Sequence, residues 1–110
     1  MGAAFCMYVP VALADVHMSY RGVHACRDLL GRIKTDDREV NWGIEAFTNH
    51  SDCDGDFSSE YCGYIGKAFR YFDEHEELHN NVSEALLDLM KKLEDIFTSA
   101  YKSNGLIHIF

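Results

Sequence analysis

The chain has 110 residues, 47% of them hydrophobic, with 18 acidic against 10 basic side chains and a net charge of -8. Those figures fit one globular domain over residues 1–110 with a real core, and they argue against a disordered chain. The acidic surplus repels phosphate backbones, so a nucleic-acid polymer is not an expected partner.

No apolar run approaches the ~20 residues needed to span a bilayer, and no membrane partner is expected. The N-terminal stretch MGAAFCMYVPVALADV places ALA before Asp15 in the manner of a signal-peptidase site. It has no basic region ahead of it, and Tyr8 and Pro10 interrupt its short apolar segment, which argues against export. Met1-Gly2 misses the myristoylation pattern because Cys6 stands where Ser or Thr is wanted. Four irregularly spaced cysteines do not form a disulfide framework. The expected location is cytoplasmic.

Residues Ala3 to Val11 read as a strand ending, or running along an edge, at Pro10. From Ser19, a plausible N-cap, the period changes. Val23, Cys26, Leu30 and Ile33 step by threes and fours along one helical face, with Gly31 weakening the last turn. Lys34 to Asn41 is a charged surface loop, and Trp42 to Thr48 reads as a short strand carrying Trp42, Ile44 and Phe47. After a polar stretch, Ser58 or Ser59 caps a second helix with Glu60 in its first turn and a buried face of Tyr61, Ile65, Ala68, Phe69 and Phe72. DEHEELHNN is a polar connector. A third helix carries Val82, Leu86, Leu89, Leu93, Ile96 and Ala100 over five turns, which is core packing. Asn104-Gly105 stops it, and Leu106 to Phe110 reads as a closing strand. The expected fold is α+β, three helices packed on a small sheet, in the order β-α-β-α-α-β.

Chemistry concentrates in NHSDCDGDFSSEYC, Asn49 to Cys62. Counted from Asp52, Asp54 and Asp56 take the third and fifth places of an EF-hand loop. The sixth is Phe57 instead of glycine, and the twelfth is Gly63 instead of a bidentate glutamate, so an EF-hand is excluded. Other divalent oxygen sites stay open. His50, Cys53 and Cys62, with His24 or His17, could supply zinc ligands, but the spacing matches no zinc knuckle or ribbon. A Cys62 nucleophile in a first helical turn would have a lowered pKa, yet nothing fixes a histidine beside it, and a buried helix-face cysteine is the plainer reading.

The first helix carries a second polar group in SYRGVHACR. Arg21, His24, Asp28 and, one step round, Arg27 lie off the Val23/Cys26/Leu30 face, either as a solvated face or as one wall of a pocket. Gly22 inside this helix costs about 1 kcal/mol relative to alanine. His75 and His79, four apart, could share a face and hold a metal but read better as surface residues. His108 alternates with Ile107 and Ile109 and reads as the outward side of the last strand.

The pattern SYxGxHxxR, then HSDCDG, an acidic and a large apolar residue and S-x-E-x-C, resembles a group of small bacterial and phage proteins with HSDCDG-type motifs. The resemblance runs from Ser19 to the final GLIHIF and brings no established activity. Arg21 stands where that group has a second serine, and Ser59 where a proline is expected; the first change alters charge beside the presumed pocket. The resemblance implies that His24, Arg27, His50, Ser51, Asp52, Asp54 and Gly55 are the positions of interest.

Two polar clusters meeting at one end of a sheet point to a small-molecule pocket. Tyr20, Tyr61 or Trp42 would stack on the ligand, and Arg27 or the second helix's N-terminus would meet an anion. Tyr20 and Arg21 complete the expected ligand-binding set. The leading expectation is a binder without catalysis for a nucleotide-like or other polar small molecule, in a sequestering role such as a phage anti-defence sponge, or a regulatory one. No cofactor is expected. The alternatives are a metal-assisted hydrolase using Asp52, Asp54 and His50, and an acidic protein-binding module of the immunity or antitoxin type. Small binders often share pockets at symmetric interfaces, so a homo-oligomer stays open.

Overall fold

The computed structural model describes residues 2–8, 13–49 and 55–109. In chain order it contains β1 (Gly2–Tyr8), β2 (Leu13–Ser19), α1 (Tyr20–Leu30), α2 (Arg38–Asn49), β3 (Gly55–Phe57) and α3 (Ser59–Glu74). A single 3-10 turn (Glu76–His79), α4 (Glu84–Lys102) and β4 (Leu106–Ile109) follow. The class is α+β. The sheet order is β2-β1-β4-β3, with every neighbouring pair antiparallel.

Three helices begin as the serine positions require. Ser19, Ser58 and Ser83 accept from the backbone N–H of Gly22, Tyr61 and Leu86, each satisfying one donor that the first turn leaves unpaired. At the end of α4, Asn104 takes a φ of 55°. Its N–H donates to Tyr101, and that of Gly105 to Ala100 at 2.8 Å, the paired bonds of a Schellman stop.

Residues 42–48, expected as a strand, lie inside α2. Asp37 Oδ1 accepts from the N–H groups of Glu39 and Val40, and Glu39 occupies the first turn. The buried residues Val40, Gly43 and Phe47 fall at helical spacing, with Ile44 packed beside them. Trp42 is therefore outward and 43% exposed. Helices α1 to α4 thus number one more than expected. The additional strand β2 forms a hairpin partner to β1, Phe5 opposite Val16 and Met7 opposite Ala14. The expected first strand is described from Gly2 to Tyr8, and its remaining residues Val9, Pro10 and Val11 lie outside the described residues.

The core joins Val23, Cys26 and Leu30 of α1 to Phe47, to Ile65, Phe69 and Phe72 of α3, to Leu93 and Phe97 of α4, and to Phe57 and Ile107 of the sheet. Four of its phenylalanines interlock. Phe47 meets Phe69 and Phe97 edge-on at 5.2 and 6.0 Å, and Phe57 meets Phe97 edge-on at 5.3 Å. Such pairs each add about 0.5–1.5 kcal/mol beyond the area they bury. Helix α3 lies against both α2 and α4. Two glycines permit this: a Cβ on Gly43 would sit 2.1 Å from the Tyr64 carbonyl oxygen, and one on Gly66 would sit 2.8 Å from Thr98 Oγ1.

Strand alternation carries this core to the site. Phe57 and Ile107 are buried, so Asp56 and His108, directly paired across β3 and β4, project from the other face of the sheet. His108 Nδ1 bonds Asp56 Oδ1 there, as an outward His108 requires. His75 and His79 are half-buried and not simply surface residues. Their ring nitrogens lie 2.7 Å from the Tyr71 and Phe72 carbonyls at the end of α3; the His75 ring stacks on Tyr71, and the His79 ring meets Phe72 at a 36° tilt. They satisfy helix-terminal acceptors.

Candidate functional site

A groove of about 660 Å³ lies between the outward face of α2 and the start of α3. Trp42, Glu45, Ala46 and Asn49 form the α2 wall, and Asp56, Phe57, Glu60, Tyr61 and Tyr64 the other. Its position follows from the packing just described. The contact at Gly43 draws α2 onto the Tyr64 turn of α3, and Phe47 stacked beside Phe57 (6.3 Å) closes the space beneath. What remains open lies above, beside Asn49.

Three aromatic rings line the groove at steep angles to one another. Trp42 and Tyr64 are 5.3 Å apart at 66°, and Tyr61 and Tyr64 are 6.3 Å apart at 73°. Tyr61 was expected in the buried face of α3, but it is 51% exposed. The buried position is Cys62, which continues through Ile65, Phe69 and Phe72 at helical spacing. The Tyr64 hydroxyl donates to Glu60 Oε1 at 3.2 Å. Desolvation, then that bond and the Glu60 charge, raise the Tyr64 pKa, so the phenol stays a neutral donor. A smaller recess adjoins the groove through Glu60 and Tyr64, and there Lys67 pairs with Glu39.

The thiol reading of Cys62 is not supported. Its side chain is fully buried and directed at the Phe57 carbonyl. Burial pushes the thiol up to about 12, with a smaller lowering from a backbone hydrogen bond at Ile107. A neutral thiol in that position packs and does not attack.

The other expected positions divide. Arg21 and His24 are exposed on α1. Arg27 crosses to α2, where Nε donates to the Phe47 carbonyl at 3.2 Å and the guanidinium lies 5.9 Å from the Phe47 ring centroid. It therefore tethers the C-terminal turn of α2 but does not line the groove. Tyr20 opens α1. Gly55 is the first residue of β3, opposite Ile109, so it begins a strand where a bend was expected. His50, Ser51, Asp52 and Asp54 lie outside the described residues, as does Cys53. Among the described residues, no group of three or more His, Cys, Asp or Glu is placed to hold a metal. Sequence reasoning had singled out Trp42 and Tyr61 as stacking groups, and both line the groove. It missed Glu45 and Asn49, for which only a correct helical reading of α2 would have given the signal, and Tyr64, which lies one helical step from Tyr61 on α3.

Replacing Arg27 by methionine should keep the contact with Phe47 while removing a charge-assisted bond. We expect a loss of about 1.5–3 kcal/mol in urea unfolding. A lysine there should recover little, because it lacks the planar fork. An unchanged midpoint in Arg27→Met would show that the tether is dispensable.

The chain matches no family model, no curated protein and no solved structure. Among the described residues, no helix is long and apolar enough to cross a membrane.

Proposed function

We propose that this protein binds a polar small molecule without transforming it, holding the flat part of the ligand in the α2–α3 groove. The observation that carries this reading is the groove itself, a 660 Å³ concavity lined by the exposed side chains of Trp42 and Tyr61. Its volume lies within the range of small-molecule sites. Exposed aromatic rings with acids and amides around them provide apolar contact together with a few orienting polar groups. A nucleotide-like ligand would stack its base on Trp42 and Tyr61. Its anionic part would need the first turn of α3. A sequestering role, in which the protein withdraws a signalling compound from use, needs binding alone and no catalytic group.

The test is thermal unfolding against a library of nucleotides, other polar metabolites and divalent ions. At a concentration one hundred times its Kd, a ligand should add about 2.7 kcal/mol, roughly ten degrees in Tm for a domain of this size. The stabilising compound should be recovered unchanged after prolonged incubation. A library without a single shift would count decisively against a binder, and conversion of the compound would replace it with an enzyme.

A further inference from the structure

The charges around the groove narrow its ligand class. Its described walls include three acidic residues, Glu45, Asp56 and Glu60, and no lysine or arginine. Two of the three already have partners: Asp56 bonds His108, and Glu60 accepts from Tyr64. The Glu45 carboxylate is exposed and has no partner among the described residues. Lys67, the cation of the adjoining recess, is paired with Glu39. The chain as a whole carries a charge of -8, so the long-range field also attracts cations.

The rings act in the same direction. A ring face bears the negative end of its quadrupole, and Trp42, Tyr64 and Tyr61 are turned 66° and 73° from one another in succession. Rings set at such angles can surround a compact head group from more than one side. Weakly hydrated cations gain most from this arrangement, because they give up the least hydration on entering.

We propose that the groove takes a small organic cation, its alkylated ammonium head against Trp42, Tyr61 and Tyr64 and its charge met by Glu45 and Glu60. This rests on the small-molecule reading above and narrows the polar ligand to a positively charged one. Trp42 is the chain's single tryptophan, so intrinsic fluorescence reports directly on the site.

The experiment titrates the intact protein with choline, with choline's neutral isostere in which carbon replaces nitrogen, and with adenosine monophosphate, following Trp42 emission. Choline should give a saturable change, with the isostere at least about tenfold weaker. Glu45→Gln should weaken choline several-fold, and Tyr61→Leu at least as much. Both positions are exposed, and a melting curve for each variant verifies that it still folds. Equal binding of choline and the isostere would overturn the proposal, as would an unaffected Glu45→Gln. Should the nucleotide bind and choline fail, the cation is wrong but the small-molecule groove stands. Failure of every compound, in this titration and in the wider library, removes both.

Discussion

Gly43→Ala is expected to lower stability by roughly 2–3 kcal/mol, although alanine is the better helix former. Helix propensity alone would favour the substitution by about 1 kcal/mol. Opposing it, the new methyl would stand 2.1 Å from the Tyr64 carbonyl oxygen and 2.5 Å from its carbon. These are backbone atoms in the middle of α3, so no rotamer change relieves the overlap. Helix α2 must move away, which loosens Phe47 from Phe69 and Phe97 and widens the groove. The measurement is urea unfolding, with Tm falling by about ten degrees as a second readout.

The same change twenty residues on should have the opposite sign. A Cβ on Gly63 would lie 2.6 Å from the Tyr101 ring, nominally another severe overlap. Yet Tyr101 is exposed, and its ring can swing into solvent. The helix-propensity gain then wins, and Gly63→Ala should be neutral or stabilising by up to about 1 kcal/mol. Equal losses at the two positions would mean that α2 and α3 are not held in register by Gly43.

This pair also shows what could be read from the chain and what could not. Leu93, Ile96 and Ala100 marked α4 because apolar side chains repeat along it, and Ser19 and Ser58 marked two helix starts through local chemistry. In α2 one of the three buried positions is a glycine, which adds nothing to a hydropathy pattern, so Trp42, Ile44 and the residues between them imitated a strand. In β2, Ala14, Val16 and Met18 alternate with Asp15, His17 and Ser19, a period-two signal that was legible but was absorbed into the question of an export signal. The groove is the least local feature of all. Trp42 and Tyr61 could be picked out as large exposed-ring candidates, but their convergence depends on a backbone contact between residues 43 and 64. No short window contains both. The polar motif at 50–54 that drew the sequence reading lies outside the described residues.

Raising the pH should destabilise the protein from about 9 upwards, well before its lysines begin to lose protons. Cys26 and Cys62 are fully buried, and desolvation pushes both thiols from 9.0 up to about 12. Below pH 9 both states hold these protons, and the contribution to stability is fully present. Between pH 9 and 12 the unfolded chain releases them while the folded chain retains them, so stability falls as pH rises. Each thiol contributes a slope of about 1.4 kcal/mol per pH unit, and the two together remove on the order of 5 kcal/mol by pH 11. That is comparable with the whole stability of many domains of this size. The raised values of Tyr64, Lys67 and Lys91 have the same sign. Those groups sit at the surface, however, where solvent screens them, and their unfolded forms titrate at 10.0 and 10.5, so the thiols dominate between pH 9 and 10. Urea midpoints under reducing conditions at half-unit steps from pH 8 measure the slope. Cys62→Ala and Cys26→Ala should each be less stable at pH 8, from lost packing, yet each should show about half the wild-type slope. A wild-type slope preserved in both variants would place the alkaline loss elsewhere. Slow alkylation of both thiols in the native protein, becoming fast in urea, is the matching kinetic result, since the thiolate that reacts forms only when the chain opens.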